Sequence, residues 1–308
     1  MKNTVKKLIA ITGPTASGKT DISLRLAKQV GGEIISADSR LVYRDFNIGT
    51  AKPNAEELSR ASHYLIDVVS PTEDFTVEKY VRQAETAIQE ISSRGNIPII
   101  CGGTGFYIKA LIEGLNIPDV TPDVEYREEL RIISETEGRE RLHEILSKSD
   151  PDMATKLHPN DSFRIIRALE VQKHLGEPMS KVQTKGDDKY DVLYIGLNAS
   201  DREYLYERIN RRVHIMMQDG MIEEVENLIK KYGRTVSLLK TLGYREICEY
   251  FDEILTYDEM IEKIQKNSRN YAKRQLTWFR ANKNINWFFI DKMNSEEICE
   301  EVVKKYHD

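Results

Sequence analysis

Short, largely apolar runs alternate with stretches of helical periodicity along the first part of the chain. Each run is four to six residues long and is followed by glycine, proline or small polar residues, which is typical of buried strands. The runs cover residues 8–11, 33–36, 64–69 and 97–101, and the helical spacing covers 21–27, 77–92 and a stretch starting near Phe106. This alternation predicts a doubly wound parallel sheet, whose ligands gather at the carboxyl ends of the strands.

The pattern changes after the fourth run, because no convincing strand follows until residues 192–197. The intervening segment shows helical periodicity that prolines interrupt after Asp150 and His158; the predicted helices are 125–137, 139–148 and 163–175. Beyond residue 197 the pattern is largely helical. The sequence therefore predicts an α/β core with C-terminal helices, formed by residues 1–117 and 189–308, and an inserted all-helical subdomain at 118–188.

The first predicted strand leads directly into G-x-x-x-x-G-K-[ST], spelled Gly13-Pro14-Thr15-Ala16-Ser17-Gly18-Lys19-Thr20. A strand before this loop and a helix after it are the context of a P-loop, so the core is predicted to be P-loop NTPase-like. Its backbone N–H groups and the helix N-terminus would cradle phosphate oxygens. Lys19 would place a charge near the outer phosphates, and the Thr20 hydroxyl would bind Mg²⁺, the predicted cofactor. The loop predicts a bound di- or triphosphate but does not identify it.

Composition limits the possible partners and the location of the protein. A net charge of −5 argues against nonspecific coating of DNA, although it leaves room for a local basic surface. No apolar stretch is long enough to cross a membrane, and residues 1–7 lack the apolar region of a signal peptide. The three cysteines are far apart and form neither a disulfide framework nor a zinc pattern. We expect a cytoplasmic protein without membrane contact.

Two polar residues follow predicted strands and should meet the P-loop at the same edge of the sheet. Asp38 could be a general base or a Mg²⁺ partner, but Asp in such a position also caps turns and helices. Thr104 lies in Gly102-Gly103-Thr104-Gly105, where backbone can approach a ligand closely and a hydroxyl can donate to phosphate. A plain turn is the alternative for Thr104.

Two groups of cations suggest further contacts. Arg208 shares a helical face with Arg211 and Arg212, which could clamp a phosphate or be a solvated face paired with nearby carboxylates. The stretch 263–283 contains seven lysines and arginines without an acidic residue, and aromatic residues lie among them. It favours binding of a nucleic-acid backbone, with core packing of the aromatic residues beside solvated lysines as the alternative.

These motifs together resemble the tRNA dimethylallyltransferases, also called tRNA isopentenyltransferases. The resemblance covers nearly the whole chain and adds the following segments to the P-loop: 35–39, 43–44, 47–53, 102–107, 158–161 with the residues up to Glu170, 242–246 and 272–279. Leu41 stands where many members carry glutamine, which concerns only a local RNA contact. The zinc finger of eukaryotic members is absent, which indicates a bacterial-type enzyme.

The resemblance implies a reaction and roles for individual residues. The dimethylallyl group of dimethylallyl diphosphate would pass to the exocyclic amine of the adenosine 3′-adjacent to the tRNA anticodon, releasing diphosphate. Asp38 would be the base, and Lys19, Thr104 and Arg212 would act on the diphosphate held by the P-loop. The anticodon stem-loop would contact Asp38, Ser39, Arg40, Leu41, Thr104, Arg127, Arg164, Arg167, Lys273 and Arg274. The family likeness also favours a monomer.

Two other functions share parts of these patterns. A nucleotide or nucleoside kinase would have the same loop and α/β core, but it would consume ATP and would not need a basic C-terminal helix. A noncatalytic RNA-binding protein gated by a nucleotide would keep its function without Asp38. Neither accounts for motifs that extend over the whole chain.

Overall fold

One parallel sheet organises the larger part of the molecule. The computed structural model describes residues 6–186 and 189–307; residues 1–5, 187–188 and 308 of the predicted ranges lie outside the described residues. The strands in the described chain are β1 (Lys6–Thr12), β2 (Gly32–Ser36), β3 (His63–Tyr64), β4 (Ile97–Gly102), β5 (Tyr190–Asn198) and β6 (Asn286–Phe289). Their order is β3-β2-β4-β1-β5-β6, and every neighbouring pair is parallel. The predicted α/β class with a parallel sheet is confirmed.

Helices connect these strands and fill the segment 113–186, which lies between β4 and β5. Before that segment lie α1 (Lys19–Val30), α2 (Ala55–Arg60), α3 (Val77–Ser93) and α4 (Gly105–Ile112). Within it lie α5 (Val124–Thr136), α6 (Arg139–Ser149), α7 (Pro151–Ala154), α8 (Ser162–Leu175) and α9 (Met179–Val182). After it come α10 (Arg202–Gln218), α11 (Met221–Tyr232), α12 (Tyr244–Phe251), α13 (Tyr257–Arg280) and α14 (Ser295–His307), with a 3₁₀ turn at Ser237–Lys240. None of the described helices combines the length and the apolar character needed to cross a bilayer.

The described chain divides into two compact units. The first combines residues 6–112 with 189–307 and contains the sheet, whereas the second is the helical segment 113–186. The sequence placed the start of the insertion at 118. The second unit has its own core, in which Leu130, Leu142, Leu146 and Ile165 pack together.

Both faces of the sheet are buried, which explains why its strands read as continuous apolar runs. On β1, Leu8 and Ala10 pack with side chains of α3 and α4, including Tyr80 and Leu111. Ile9 and the residues that share its face pack instead with α1 and α14. A further apolar cluster joins α10, α11, α12 and α13 outside the sheet. The sheet is therefore a rigid base for the loops at its strand ends.

One predicted strand of the sheet is wrong in its extent. The expected strand 64–69 continues only to Tyr64, because Leu65 and Asp67 have φ angles of 63° and 56°, in the left-handed region that extended strands exclude. Val69 rejoins only as a single bridge to Tyr43. The segment after 197 is largely helical, as expected. It also contains β6, a four-residue edge strand too short for a period-two pattern to reveal.

Candidate active site

Three strand ends meet at one edge of the sheet. The register pairs Thr12 of β1 with Gly102 of β4, and Cys101 of β4 with Ser36 of β2. The loops that follow these strands are the P-loop, the segment beginning at Ala37 and the glycine-rich loop before α4. All three line one cavity of about 860 Å³ within the first unit.

The P-loop curls tightly between β1 and α1. Gly13 has φ of 149°, and a Cβ there would lie 2.4 Å from the Leu197 carbonyl oxygen, so a side chain is excluded. Ala16 and Gly18 both adopt left-handed φ angles, 62° and 84°, just before α1 begins at Lys19. Residues 15–20 line the cavity, and Gly13 and Pro14 are buried behind them. The loop therefore has the concave form expected for phosphate oxygens.

Lys19 has no carboxylate ion-pair partner among the described residues. Its Nζ donates to the carbonyl oxygen of Pro14 at 2.7 Å. The pKa of Lys19 is lowered to about 8, mainly by burial and also by the nearby Arg212 guanidinium, whereas Cys101 and Asp38 act in the opposite direction. A phosphate oxygen at this position would favour the charged ammonium form.

Helix α10 places two arginines beside the P-loop. Arg208 Nε donates to the Ala16 carbonyl oxygen at 2.9 Å, and Arg212 Nη1 lies 3.4 Å from the Thr15 hydroxyl. Burial lowers the pKa of Arg212, Asp38 opposes that shift and Arg208 adds to it. Arg211 is exposed at the rim. The cavity thus concentrates positive charge next to the phosphate cradle.

Asp38 and Thr104 face the same cavity and are connected through the backbone. Asp38 Oδ1 accepts a hydrogen bond from the Arg40 N–H at 2.8 Å, which is the turn-capping role left open by the sequence. Thr104 Oγ1 accepts from the Ser39 N–H at 3.0 Å, leaving its hydroxyl hydrogen for another acceptor. The capping bond uses one of the Asp38 oxygens, so the carboxylate can cap and still accept a proton. Ser39, Arg40 and Leu41 also line the cavity.

A glutamine of α13 joins the P-loop to the glycine-rich loop. Gln275 Oε1 accepts from the Thr15 N–H at 2.9 Å, and its Nε2 donates to the Gly103 carbonyl oxygen at 3.0 Å. Gln275 is buried. Analysis of the residues by type and spacing missed this contact, since its partners are 260 and 172 positions away in sequence. Only its place in the 272–279 motif marked it.

Oxygen donors that suit Mg²⁺ are present in this cavity. The Thr20 hydroxyl and the Asp38 carboxylate both line it, and Mg²⁺ prefers such ligands together with substrate phosphates and water. Ser17 Oγ is buried in the P-loop without a hydrogen-bond partner. No group of three or more His, Cys, Asp or Glu residues forms a cage for a metal within residues 6–186 and 189–307. The residues therefore fit a metal shared with a bound diphosphate.

Part of the cavity wall is mostly apolar, in contrast to the charged phosphate cradle. Met221, Tyr244 and Ile264 contribute to it, together with the backbone of residues 49–51. Tyr271 of α13 also lines the cavity, and burial raises its pKa to about 12. The site thus joins a charged end to an apolar one.

The basic helix α13 combines exposed cations with cations used in packing. Lys273 and Arg274 are exposed, and each lies over an aromatic ring, Tyr206 and Tyr271 respectively. Lys263 pairs with Glu249 at 2.7 Å, and Arg269 donates to Asn210 at 2.6 Å. Phe279 is buried, and Trp278 is 38% exposed. The packing interpretation therefore fits Phe279, whereas nucleic-acid binding by the exposed Lys273 and Arg274 stays a prediction.

The arginines predicted for tRNA in the second unit occupy two environments. Arg127 makes two hydrogen bonds to the buried Glu170, at 2.6 and 2.8 Å, and Arg167 reaches the same carboxylate at 2.5 Å. Arg167 also donates to the Val120 carbonyl oxygen at 2.9 Å. Arg164 is exposed, 3.4 Å from Asp161. Their contact with tRNA stays a prediction.

Comparisons with known proteins point to one family. The family model for IPP transferase matches residues 41–282. The tRNA dimethylallyltransferase of Caldanaerobacter subterraneus subsp. tengcongensis is 42% identical over 308 residues, covering 97% of each chain. That of Geobacillus thermodenitrificans is 44% identical over 286 residues, covering 92% of this chain and 90% of the relative.

Solved structures agree with the sequence matches. The full-length tRNA isopentenylpyrophosphate transferase of Bacillus halodurans superposes with a TM-score of 0.72 at 42% identity, covering 98% of this chain and 97% of the other. A eukaryotic dimethylallyltransferase, crystallised in a study of its action on tRNA, gives a TM-score of 0.73 at 27% identity. That match covers 95% of this chain and 77% of the other.

Proposed function

The chain belongs to the IPP transferase family, the tRNA dimethylallyltransferases, and we propose the following reaction for it. It transfers the dimethylallyl group of dimethylallyl diphosphate to the exocyclic amine of the adenosine 3′-adjacent to the tRNA anticodon. One observation carries the proposal: a single cavity joins the P-loop cradle, the cationic side chains of Lys19 and Arg212, and the Asp38 carboxylate. The reaction requires cations that stabilise the leaving diphosphate and a base that accepts a proton, and both must lie in the same site.

The cationic end holds the leaving group. As the bond between the allylic carbon and oxygen breaks, its electron pair moves to the diphosphate, whose negative charge grows. The P-loop, Lys19 and Arg212 line the same cavity. Their N–H groups would stabilise that charge, because preorganised donors stabilise a transition state without reorganisation. The Thr104 hydroxyl can donate to the same oxygens.

Asp38 accepts the proton that the amine loses. The exocyclic amine of adenine is a weak nucleophile because its lone pair is delocalised into the ring. As nitrogen bonds to the allylic carbon, the Asp38 carboxylate takes the N–H proton as a general base. The hydrogen bond from the Arg40 N–H fixes the orientation of Asp38 for this step.

Mg²⁺ fits this site through the Thr20 hydroxyl and the diphosphate oxygens. When bound it would supply additional positive charge to the diphosphate. Thr20 and Asp38, which both line the cavity, would hold the metal.

The tRNA substrate contacts surfaces around the cavity. The target adenine leaves its stack to enter, as bases do in other base-modifying enzymes. Ser39, Arg40 and Leu41 at the cavity contact the anticodon loop, and the exposed Lys273 and Arg274 hold phosphates. Arg164 and Arg167 of the helical unit also contact the anticodon loop. The enzyme acts as a cytoplasmic monomer.

An assay that compares two donors in parallel tests the proposal. Purified protein, Mg²⁺ and unmodified tRNA receive radiolabelled dimethylallyl diphosphate in one reaction and γ-labelled ATP in a parallel one. Prenyl label entering tRNA, with the ATP phosphate unmoved, is the expected result. ATP hydrolysis or phosphate transfer without prenyl transfer would make the protein a P-loop kinase instead. A tRNA carrying guanosine at the target position is the matched control and should stay unlabelled.

A further inference from the structure

Glu224 of α11 carries an unusual set of hydrogen bonds. Its Oε2 accepts from the backbone N–H groups of Asn47 at 3.0 Å and Ile48 at 2.7 Å. Its Oε1 accepts from the Gly49 N–H at 3.2 Å and from the Tyr244 hydroxyl at 2.8 Å. One carboxylate thus serves four donors, three of them consecutive backbone amides that form a nest for an anion.

The segment held by Glu224 cannot satisfy those amides itself. Its own turns use other groups: Ala51 N–H donates to the Ile48 carbonyl oxygen at 2.9 Å, and Lys52 N–H to that of Asn47 at 2.9 Å. Ala51 also has a left-handed φ of 51°. Without the carboxylate, three neighbouring N–H groups would lose their acceptor, which favours a different loop conformation.

The same segment forms part of the reaction cavity. Gly49, Thr50 and Ala51 line it beside Met221 and Tyr244. A Cβ on Gly49 would lie 2.6 Å from the Tyr244 ring and 2.7 Å from Met221 Cε, so the backbone presses directly against both side chains. The loop, α11 and α12 therefore form one apolar wall whose position depends on Glu224.

We propose that Glu224 is a positioning residue that fixes this wall for the prenyl donor. The inference rests on the proposed function, because the donor carries the hydrocarbon that an apolar wall would contact. Glu224 does not line the cavity itself and takes no part in the proton or diphosphate steps. Its role is to keep the 47–51 segment in the conformation that the donor meets.

Glu224→Gln tests the proposal, because it keeps the shape of the side chain but replaces one acceptor oxygen with an amide NH2 group, which cannot accept from the backbone N–H groups. We expect the KM for dimethylallyl diphosphate to rise on the order of tenfold, because small displacements of positioning groups are costly. The kcat and the KM for tRNA should change less than about twofold, since the catalytic groups and the tRNA surface are untouched. Amide hydrogen exchange at residues 47–49 should accelerate.

Glu223→Gln is the matched control, because it removes the same charge from the exposed neighbouring residue of the same helix. It should behave as the wild type in every measurement. Tyr244→Phe removes one of the four donors and should move the donor KM in the same direction by less. If Glu224→Gln fails to fold, Tyr244→Phe carries the kinetic test.

Two results would overturn the inference. Unchanged exchange at residues 47–49 in Glu224→Gln would mean that the carboxylate does not hold the loop. Faster exchange with an unchanged donor KM would mean that the wall does not position the donor. Failure of the proposed function is distinct, since it would appear as absent prenyl transfer in the wild-type protein.

Discussion

Cations at the reaction cavity and cations in the helical unit of this protein have opposite kinds of partner. At the cavity of the sheet unit, Lys19 donates to the Pro14 carbonyl oxygen and Arg212 lies near the Thr15 hydroxyl. Neither forms an ion pair with a carboxylate among the described residues. In the helical unit, Arg127 and Arg167 converge on the buried Glu170. Burial opposes ionisation of Glu170, yet the hydrogen bonds of both arginines and of the Asp123 N–H hold its pKa below the usual range.

The difference shows that the partner of a cation, and not its presence, indicates its role. A cation that lines a cavity and has no carboxylate partner can bind an anionic ligand, since the ligand supplies the negative charge that compensates the buried positive charge. A cation on a buried carboxylate stabilises the fold, and removing either partner leaves the other uncompensated.

The largest effect should follow loss of the carboxylate in the sheet unit. Asp38→Ala should lower the rate of prenyl transfer by about 10²–10⁴-fold, the contribution typical of a general base, in single-turnover assays. Binding of tRNA, measured by fluorescence anisotropy, should change little. Asp38→Asn separates the two roles of the residue, because an amide oxygen can still accept from the Arg40 N–H. If Asp38→Asn transferred the prenyl group at nearly the wild-type rate, Asp38 would be a cap only.

Loss of the Lys19 charge should have the second-largest effect on prenyl transfer. Lys19→Met should lower kcat/KM for dimethylallyl diphosphate by about 10²–10³-fold, as expected when a donor to developing charge is removed. Steady-state kinetics with saturating tRNA measures it. Arg127→Met is the control from the helical unit and should leave the donor kinetics unchanged. Equal losses in both variants would contradict the comparison.

Removal of the buried carboxylate should affect stability and leave the chemistry intact. Glu170→Gln leaves Arg127 and Arg167 without their charge partner, which should cost about 3–5 kcal/mol in the unfolding free energy of the helical unit. Urea unfolding followed by hydrogen exchange resolves this unit from the sheet. The KM for the prenyl donor should stay as in the wild type. Wild-type stability of residues 113–186 would show that the network is dispensable.

The pH dependence of kcat/KM for the prenyl donor should follow the ionisation of Lys19. Because burial lowers its pKa to about 8 in the free enzyme, Lys19 is charged below that pH and loses its proton above it. The value of kcat/KM for the donor should therefore fall about tenfold per pH unit above pH 8. In Lys19→Arg the guanidinium stays charged, so this alkaline fall should move to higher pH. An identical profile in both proteins would assign the fall to another group.

The smallest effect should distinguish arginines within the helical unit. Arg164 is exposed, so Arg164→Ala should weaken tRNA binding and reduce the slope of log affinity against log salt by about one, as for one phosphate contact. Arg127→Met should change that slope less, because its guanidinium is engaged by Glu170. Titrations at several salt concentrations measure both. A larger change for Arg127→Met would reverse the assignment.

The sequence predicted the parts of the site that depend on local pattern. The P-loop follows from a spacing of glycines, and the positions of Asp38 and Thr104 follow from their place after apolar runs. Arg212 was visible only as one of several cations on a helix, and the family resemblance singled it out. Local pattern determines these features because strand ends of a parallel sheet converge whatever the rest of the chain does.

The features that the sequence did not predict depend on contacts between residues far apart along the chain. Gln275 joins two loops, Glu224 holds a third, and Glu170 neutralises two arginines, and none of these has a periodic signature. The strand expected at 64–69 ended early because Leu65 turns the backbone into the left-handed region while its side chain stays buried. Hydrophobic pattern reports that burial but does not report the turn.

Calorimetric titration of inorganic diphosphate with Mg²⁺ tests the central claim most directly. The wild-type protein should bind one diphosphate, Lys19→Met should bind it at least tenfold more weakly, and Arg127→Met should match the wild type. Equal binding by wild type and Lys19→Met would contradict the assignment of the P-loop cations to the leaving diphosphate.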